Sequence, residues 1–178
     1  MCEGPGATFE CCYGELVCSE SDCIIGDPDW ISTDVSFKIG AITPTDSGFD
    51  IQIDYLSSSA IGGFQFDLLS DGALAVTGGS GGACEAAGFQ VITGSNNNIV
   101  LAFTLTGDII AESSEYTHLL TLSTTVNNGF DGDSVMLDAI HDCVNGDCNS
   151  YLLVSDSTGS ALDSDFHEAT WTVGSDWD

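Results

Sequence analysis

Short runs of alternating apolar and polar residues fill the sequence from Val35 onward and are separated by turn-forming residues. The clearest run spans residues 49–55, where every second residue is apolar. A period of two is typical of a β-strand with one buried and one solvent-facing side. Turn signals such as Asn127-Asn128-Gly129 recur about every 8–12 residues, and helical periodicity is almost absent. The pattern predicts an all-β fold, an antiparallel β-sandwich or jelly roll.

About nine or ten short strands are expected in this sandwich. They are residues 35–42, 49–55, 61–69, 74–77, 89–93, 99–106, 118–126, 134–140, 151–154 and 170–173. Three further segments are predicted as a flexible glycine-rich stretch (residues 78–82), one helical turn (83–87) and either a loop or a brief helix (108–115). In the first strand, the period of two places Val35, Phe37, Ile39 and Ala41 on one face.

The chain carries 28 acidic residues against Lys38 as its single strong cation, which gives a formal net charge of −27. No basic surface is available to neutralise phosphates, so nucleic acid is excluded as a partner. No apolar run reaches the length of about 18 residues that a membrane span needs, so membrane insertion is not expected. Because salt screens self-repulsion, the charge indicates adaptation to a saline, extracellular medium. The alternative is an acidic surface that serves solubility alone.

Eight cysteines, an even and high count, predict disulfides and an oxidising final location. They are Cys2, Cys11, Cys12, Cys18, Cys23, Cys84, Cys143 and Cys148. Five of them lie in the N-terminal segment, and five is odd, so complete pairing within the chain requires at least one bridge from that segment to a later cysteine. We expect Cys143–Cys148 to close a small loop and Cys84 to take an N-terminal partner. The alternative is a metal cluster that also uses His141, two residues before Cys143.

This organisation divides the chain into three segments. Residues 1–30 form a Cys-rich N-terminal arm that is too short for a core of its own. Residues 31–160 form the sandwich, and residues 161–178 form an acidic tail with a candidate last strand. The N-terminus shows neither the basic patch nor the apolar stretch of a secretory signal. We therefore expect a protein that reaches the outside by cell lysis, as virion proteins do.

Residues 35–156 resemble a cohesin-like domain. The opening VSFKIGAITPTDSGFDIQIDYLSSSAIGGFQFDL matches the family's first strand, turn, second alternating strand and polar link. The central GGSGGACEAAGFQVITGSNNNIVLAFTLTGDII is similar to repeats in extracellular proteins of marine bacteria and to structural proteins of marine phages. The resemblance implies a nine-stranded jelly-roll sandwich. Cohesins of cellulosomes bind dockerins through one sheet face, so it also implies a protein partner.

Acidic turns are candidate calcium sites, because Ca²⁺ takes about six to eight oxygen ligands from carboxylates and carbonyls. The first candidate set is Asp131, Asp133 and Asp138, and the second is Asp142, Asn145, Asp147 and Asn149. Neither set has EF-hand spacing, because the closing Glu is missing. Calcium is the one cofactor that the sequence suggests.

Three tryptophans near the chain ends, Trp30, Trp171 and Trp177, are expected outside the sandwich. Aromatic residues in terminal arms are typical interface anchors, so we expect them to contact neighbouring subunits. The alternative is a platform for sugar rings. His118, His141 and His167 come with no recognisable nucleophile motif, so no catalytic residue is assigned and no enzyme is expected.

These observations favour a structural subunit displayed on a virion surface or another extracellular assembly, with phage capsid decoration as the specific hypothesis. Its expected partners are copies of itself and a major capsid or filament protein. The alternative is a secreted or cell-surface cohesin-like module that binds a protein or a glycan.

Overall fold

A computed structural model of the chain describes residues 9–10, 16–17, 33–70, 73–94, 98–127, 134–138, 141–144, 147–150 and 152–172. Only the backbone is described for residues 9–10, 16–17, 134, 136, 138, 141–144, 147–150 and 172. The chain divides into two compact units, Met1–Ser32 and Thr33–Asp178. In the first unit, β1 (Phe9–Glu10) pairs antiparallel with β2 (Leu16–Val17).

The second unit contains one short helix among its described strands. In chain order the elements are β3 (Val35–Pro44), β4 (Phe49–Ser57), β5 (Gly63–Leu69), β6 (Leu74–Ser80), α1 (Gly82–Ala86), β7 (Gln90–Thr93), β8 (Ile99–Phe103), β9 (Ser113–Val126), β10 (Ser134–Asp138), β11 (His141–Val144), β12 (Asp147–Ser150), β13 (Leu153–Ser155), β14 (Ser164–Phe166) and β15 (Thr170–Thr172). This confirms the prediction of an all-β chain with one helical turn near residue 84.

Two sheets make up the sandwich. The first has strand order β14-β3-β4-β9-β6, and the second has order β15-β10-β5-β8-β7 with β13 also paired to β5. All described pairings in these sheets are antiparallel except that of β14 with β3. A third, two-stranded ladder joins β11 to β12. The predicted antiparallel sandwich is therefore confirmed.

The core lies between the two sheets and is built from the alternating apolar residues of each strand. Phe37 of β3 packs against Phe64 and Phe66 of β5, with ring centroids 5.5 and 5.9 Å apart. Phe64 and Phe66 are themselves stacked at 5.7 Å. The two pairs made by Phe37 add attraction to the burial of large apolar surface and join the first sheet to the second.

A bulge in β3 corrects the predicted face of that strand. Ile39 pairs with Ile53 and Ile42 pairs with Ile51, so β3 carries one extra residue between them. The extra residue breaks the period of two. Ile42 therefore packs against the core, and Ala41, which the pattern predicts to be buried, is exposed.

The glycine-rich residues 78–82, predicted to be flexible, mostly continue strand β6. Gly78 and Gly79 pair with Ser123 and Leu122 of β9. A Cβ atom on Gly79 would lie 2.7 Å from the Val91 side chain, so glycine here permits close packing between the sheets. The prediction of flexibility was wrong because pairing with β9 holds Gly78 and Gly79 in the strand despite the conformational freedom of glycine.

The C-terminal segment contributes strands to both sheets. β14 lies parallel to β3, and β15, which was predicted as a last strand, pairs with β10. The ring of Trp171 packs edge-on against Phe49 at 5.6 Å. The expectation that Trp171 lies outside the sandwich is therefore wrong: its ring is half-buried against the core of its own chain. Trp30 and Trp177 lie outside the described residues.

Candidate protein-binding site

The second sheet has an unusual solvent side, because β8 is apolar at every position. Val100 and Ala102 point into the core, which places Ile99, Leu101 and Phe103 on the opposite side of the sheet. We call this solvent side of the second sheet the outer face. A strand with one wet side normally carries polar residues there. The sequence Ile-Val-Leu-Ala-Phe therefore makes both sides of β8 apolar.

The strand register aligns the outer residues of four neighbouring strands. Ile92 of β7 lies opposite Leu101 of β8, Leu101 lies opposite Gln65 of β5, and Gln65 lies opposite Leu153 of β13. We call these four residues the exposed row. Adjacent strands are about 4.8 Å apart, so the row spans about 14 Å. Its two ends are open to solvent: Ile92 is 49% exposed and Leu153 is 53% exposed.

The row stands out because it bears no charge in a chain that has 28 acidic residues. A single exposed leucine needs no explanation, but Ile92 and Leu101 are apolar neighbours on adjacent strands, and the uncharged Gln65 separates them from Leu153. Ile99 extends the patch on one side of the row and Phe103 extends it on the other, each half-buried. Asp67, opposite Ile99, is the carboxylate that borders the row on β5. The outer face thus combines apolar residues on β7, β8 and β13 with the polar Gln65 and the acidic Asp67 on β5.

The solvent side of the first sheet is polar and serves as an internal contrast. On β4, Asp50, Gln52 and Asp54 alternate with core residues. Gln52 Nε2 donates a hydrogen bond to Asp54 Oδ1 at 2.7 Å, and Asp50 Oδ1 accepts one from the Ser123 hydroxyl at 2.9 Å. These polar groups form their hydrogen bonds within the sheet. The apolar patch is therefore a property of the second sheet and not of the sandwich surface as a whole.

Lys38, the chain's single strong cation, lies on this polar side. Its Nζ atom is 3.9 Å from Glu168 Oε2 and 4.5 Å from the centroid of the Tyr116 ring. The Tyr116 hydroxyl donates to Ser36 Oγ at 3.0 Å, and its ring stacks on His167. Burial raises the pKa of Tyr116, although its bond to Ser36 acts in the opposite direction. Lys38 is thus engaged on the opposite sheet from the exposed row.

Cys84 of α1 differs from its expected role. It is a free thiol, 1% exposed, and belongs to the core cluster. Burial raises its pKa from the ordinary 9.0 to about 12, because the thiolate would lose its hydration. The expected bridge from Cys84 to an N-terminal cysteine is therefore absent. Cys84 is instead a small core residue that α1 buries against the sandwich.

The other cysteine and calcium predictions fall largely beyond the described side chains. Cys2, Cys11, Cys12, Cys18, Cys23, Asp131 and Asp133 lie outside the described residues, and Asp138, Asp142, Cys143, Asp147 and Cys148 are described by backbone alone. Calcium binding stays a prediction. Among the described residues, no group of three or more His, Cys, Asp or Glu side chains could hold a metal ion.

The described histidine side chains have ordinary structural partners. His118 Nε2 lies 3.0 Å from Thr121 Oγ1 on the same strand, and His167 stacks on Tyr116. An open depression of about 580 Å³ lies beside α1, lined by Ala86, Ala87, Gly88, Gly107, Asp108 and Ile109. The residues that line it supply one carboxylate, Asp108, and no second titratable group. No helix in the described part of the chain is long and apolar enough to cross a membrane.

Comparison with known proteins finds similarity in structure. No protein-family model and no curated protein sequence matches the chain. Among solved structures, the chain is similar to the cohesin CaCohA2 of Clostridium acetobutylicum in complex with a variant of CaDoc0917, with a TM-score of 0.55 and 17% identity over 79% of this chain and 99% of that one. The chain has a cohesin-like fold.

Two further solved structures agree. The third ScaB cohesin of R. flavefaciens, in complex with a group 1 dockerin, has a TM-score of 0.51 and 15% identity over 81% of this chain and 97% of that one. The seventh ScaB type I cohesin of Pseudobacteroides cellulosolvens has a TM-score of 0.51 and 15% identity over 79% of this chain and 92% of that one. The resemblance seen in the sequence is thereby confirmed for the fold. The similarity to marine bacterial and phage proteins stays a prediction.

Proposed function

We propose that this protein is a non-catalytic binding module for extracellular or cell-surface assemblies, and that its partner protein docks on the outer face of the second sheet. The observation that carries the proposal is the exposed row, which places Ile92, Leu101 and Leu153 in one line on the solvent side. Burying such a patch removes apolar surface from water and so favours association. The polar side of the first sheet offers no comparable patch among its described residues.

A partner that fits this face has an apolar strip and a basic or neutral border. The net charge of −27 repels acidic proteins and attracts basic ones. Two of the similar cohesins are seen in complex with dockerins. This supports a dockerin-like domain as the class of partner, whereas a glycan would need exposed aromatic rings that the row does not have.

Titration calorimetry with purified dockerins tests this proposal. The probes are CaDoc0917 and the group 1 dockerin, each titrated into the full chain at physiological salt. We expect at least one of them to bind with a Kd of about 10 μM or tighter, equivalent to about −7 kcal/mol. The result that would overturn a dockerin-like partner is the absence of binding by both probes at protein concentrations where their own cohesins saturate.

The predicted role on a virion surface or similar assembly uses the same face, with another copy or a capsid protein as the partner. The acidic composition supports this second function, because such a surface stays soluble at high local concentration. Sedimentation equilibrium of the full chain tests whether another copy is the partner. Concentration-dependent dimers or larger species support self-association, and a monomer across the concentration range contradicts it.

A further inference from the structure

β11 and β12 fall in the chain between β10 and β13, two strands of the second sheet that pair with the same edge of β5. β10 pairs with β5 up to the pair Asp138–Asp67, and β13 resumes pairing with β5 at Leu153–Gln65. The two strands thus lie end to end on the same side of β5, with a gap beside Phe66. Between them in the chain, β11 and β12 pair with each other in a separate two-stranded sheet. The insertion is therefore tied to the sheet at both of its ends.

Within the insertion, the strand register brings two cysteines to directly opposite positions. The backbone pairs are His141–Ser150, Asp142–Asn149, Cys143–Cys148 and Val144–Asp147. Two residues, Asn145 and Gly146, connect the strands, and Asn-Gly is the sequence most favoured in two-residue hairpin connections. The spacing of the cysteines is thus matched to their pairing across the ladder.

The position of the pair along the ladder also suits a disulfide. The pair that closes a two-residue hairpin, here Val144–Asp147, exchanges backbone hydrogen bonds. Bonded and non-bonded pairs alternate along an antiparallel ladder, so Cys143–Cys148 is a non-bonded pair. Cα atoms of such pairs are about 4.5 Å apart, which falls within the Cα separation of about 4.4–6.8 Å seen in disulfides.

We propose that Cys143 and Cys148 form a disulfide that ties the two strands of the inserted hairpin. The burial of Cys84 supports this pairing, because it removes from exchange the one other cysteine that lies outside the N-terminal segment. The disulfide holds the two strands of the hairpin together just before the chain returns to the second sheet at Leu153. It therefore helps to fix one end of the exposed row.

Formation of the bond requires a disulfide oxidant, for which oxidised glutathione is sufficient. The Cys143 thiolate attacks one glutathione sulfur and releases one reduced glutathione, which leaves a mixed disulfide. The Cys148 thiolate then attacks the Cys143 sulfur and releases the second reduced glutathione. The protein loses two protons and two electrons, and the oxidant gains them. The reaction fits the oxidising location that the cysteine content predicts.

Non-reducing peptide mapping of the full chain tests the proposal. The protein is denatured with an alkylating reagent and then cleaved on the N-terminal side of aspartate, which separates residues 142–146 from residues 147–155. We expect these two peptides as one linked species, lighter than their sum by two hydrogen atoms, that separates on reduction. In a Cys84→Ser variant, the linked species should persist. In a Cys148→Ser variant, it should be lost.

Three outcomes would overturn the pairing. Both peptides could be alkylated and separate without reduction, which would show free thiols. Either peptide could be linked to a peptide from the N-terminal segment, which would show a different connectivity. Native mass spectrometry could show one bound zinc per chain that is lost on alkylation, which would favour the cluster with His141. Because the mapping uses the unmodified protein, its result does not depend on whether a variant folds.

Discussion

Ile92 of the edge strand β7 lies directly opposite Leu101 of β8, on the side of the sheet that faces away from the core. The same row continues through Gln65 to Leu153, so uncharged side chains cross four strands. The chain has 28 acidic residues and one lysine, yet this row bears no charge. Hydrogen-bonded polar groups line the solvent side of β4 in the first sheet, whereas Ile99, Leu101 and Phe103 make the solvent side of β8 apolar in the second.

Removing Phe66 should destabilise the sandwich strongly, because its side chain is fully buried between Phe37 and Phe64. We expect Phe66→Ala to lower the free energy of unfolding by about 3–5 kcal/mol. Urea denaturation monitored by circular dichroism measures this change. Ile92→Ala is the control, because the half-exposed Ile92 should cost less than about 1 kcal/mol. Equal losses in the two variants would contradict the described core.

Two adjacent glycines provide a matched test of packing between the sheets. A Cβ atom on Gly79 would lie 2.7 Å from Val91 Cγ1, whereas one on Gly78 would have no heavy atom within 4 Å. We therefore expect Gly79→Ala to lower the free energy of unfolding by about 1–3 kcal/mol through overpacking, and Gly78→Ala to leave it nearly unchanged. Chemical denaturation of both variants checks this. A larger loss for Gly78→Ala would show that the register of β6 is incorrect.

These two glycines also show how far the sequence alone could lead. The alternation of residues 49–55 and the turn spacing were sufficient for the sandwich and most of its strands, but β11, β12, β14 and the first residues of β9 (Ser113–Val126) were not predicted as strands. The bulge after Ile39 and the packing at Gly79 depend on residues distant in sequence, so a local pattern could not predict them. Trp171 was misplaced for the same reason, since its contact with Phe49 joins opposite ends of the domain.

The apolar strand β8 of the candidate site is recognisable from the sequence. Residues 99–103 are apolar without interruption, which identifies a strand with two apolar sides. The neighbours that turn this strand into a patch, Ile92, Gln65 and Leu153, follow only from the strand register. The sequence could therefore predict an apolar strand, but not the row that crosses the sheet.

Stability should fall at high pH because of the buried Cys84 thiol. Its pKa is raised from 9.0 to about 12 in the folded chain, so the folded state keeps its proton where the unfolded state loses it. Between these pKa values, the free energy of unfolding should decrease by up to about 1.4 kcal/mol per pH unit. Tyr55, whose pKa burial also raises, contributes a decrease of the same sign.

The effect of the thiol is measured by urea denaturation of the unmodified chain and of Cys84→Ala. The range runs from about pH 8 to about pH 10.5, on either side of the ordinary thiol pKa. The slope with pH should be shallower in the variant, because it lacks the buried thiol while its other titratable groups are unchanged. In the native chain at the lower pH, Cys84 should also resist a thiol-reactive dye until denaturant is added. Identical slopes in the two proteins would contradict the raised pKa.

Salt should stabilise the folded chain, because its acidic residues repel one another. Raising NaCl from about 10 mM to about 1 M shortens the Debye length from about 30 Å to about 3 Å. At pH 7 we expect Tm to rise by at least about 3 °C, which corresponds to roughly 1 kcal/mol for a chain of this length. The increase should be smaller near pH 4, where about half of the carboxylates are protonated. A constant or falling Tm at pH 7 would contradict this explanation of the net charge.

The central claim is that the outer face of the second sheet holds a partner protein. Its most direct test uses a dockerin that binds the unmodified chain. The Kd of this dockerin is measured for the double variant Ile92→Asp/Leu153→Asp and for the control variant Val126→Asp. Val126 is a suitable control because it is 40% exposed but lies on β9 of the first sheet. We predict at least about tenfold weaker binding, or about 1.4 kcal/mol, for the double variant and no more than about a twofold change for the control. Unchanged binding by the double variant, with the fold intact by circular dichroism, would contradict the claim.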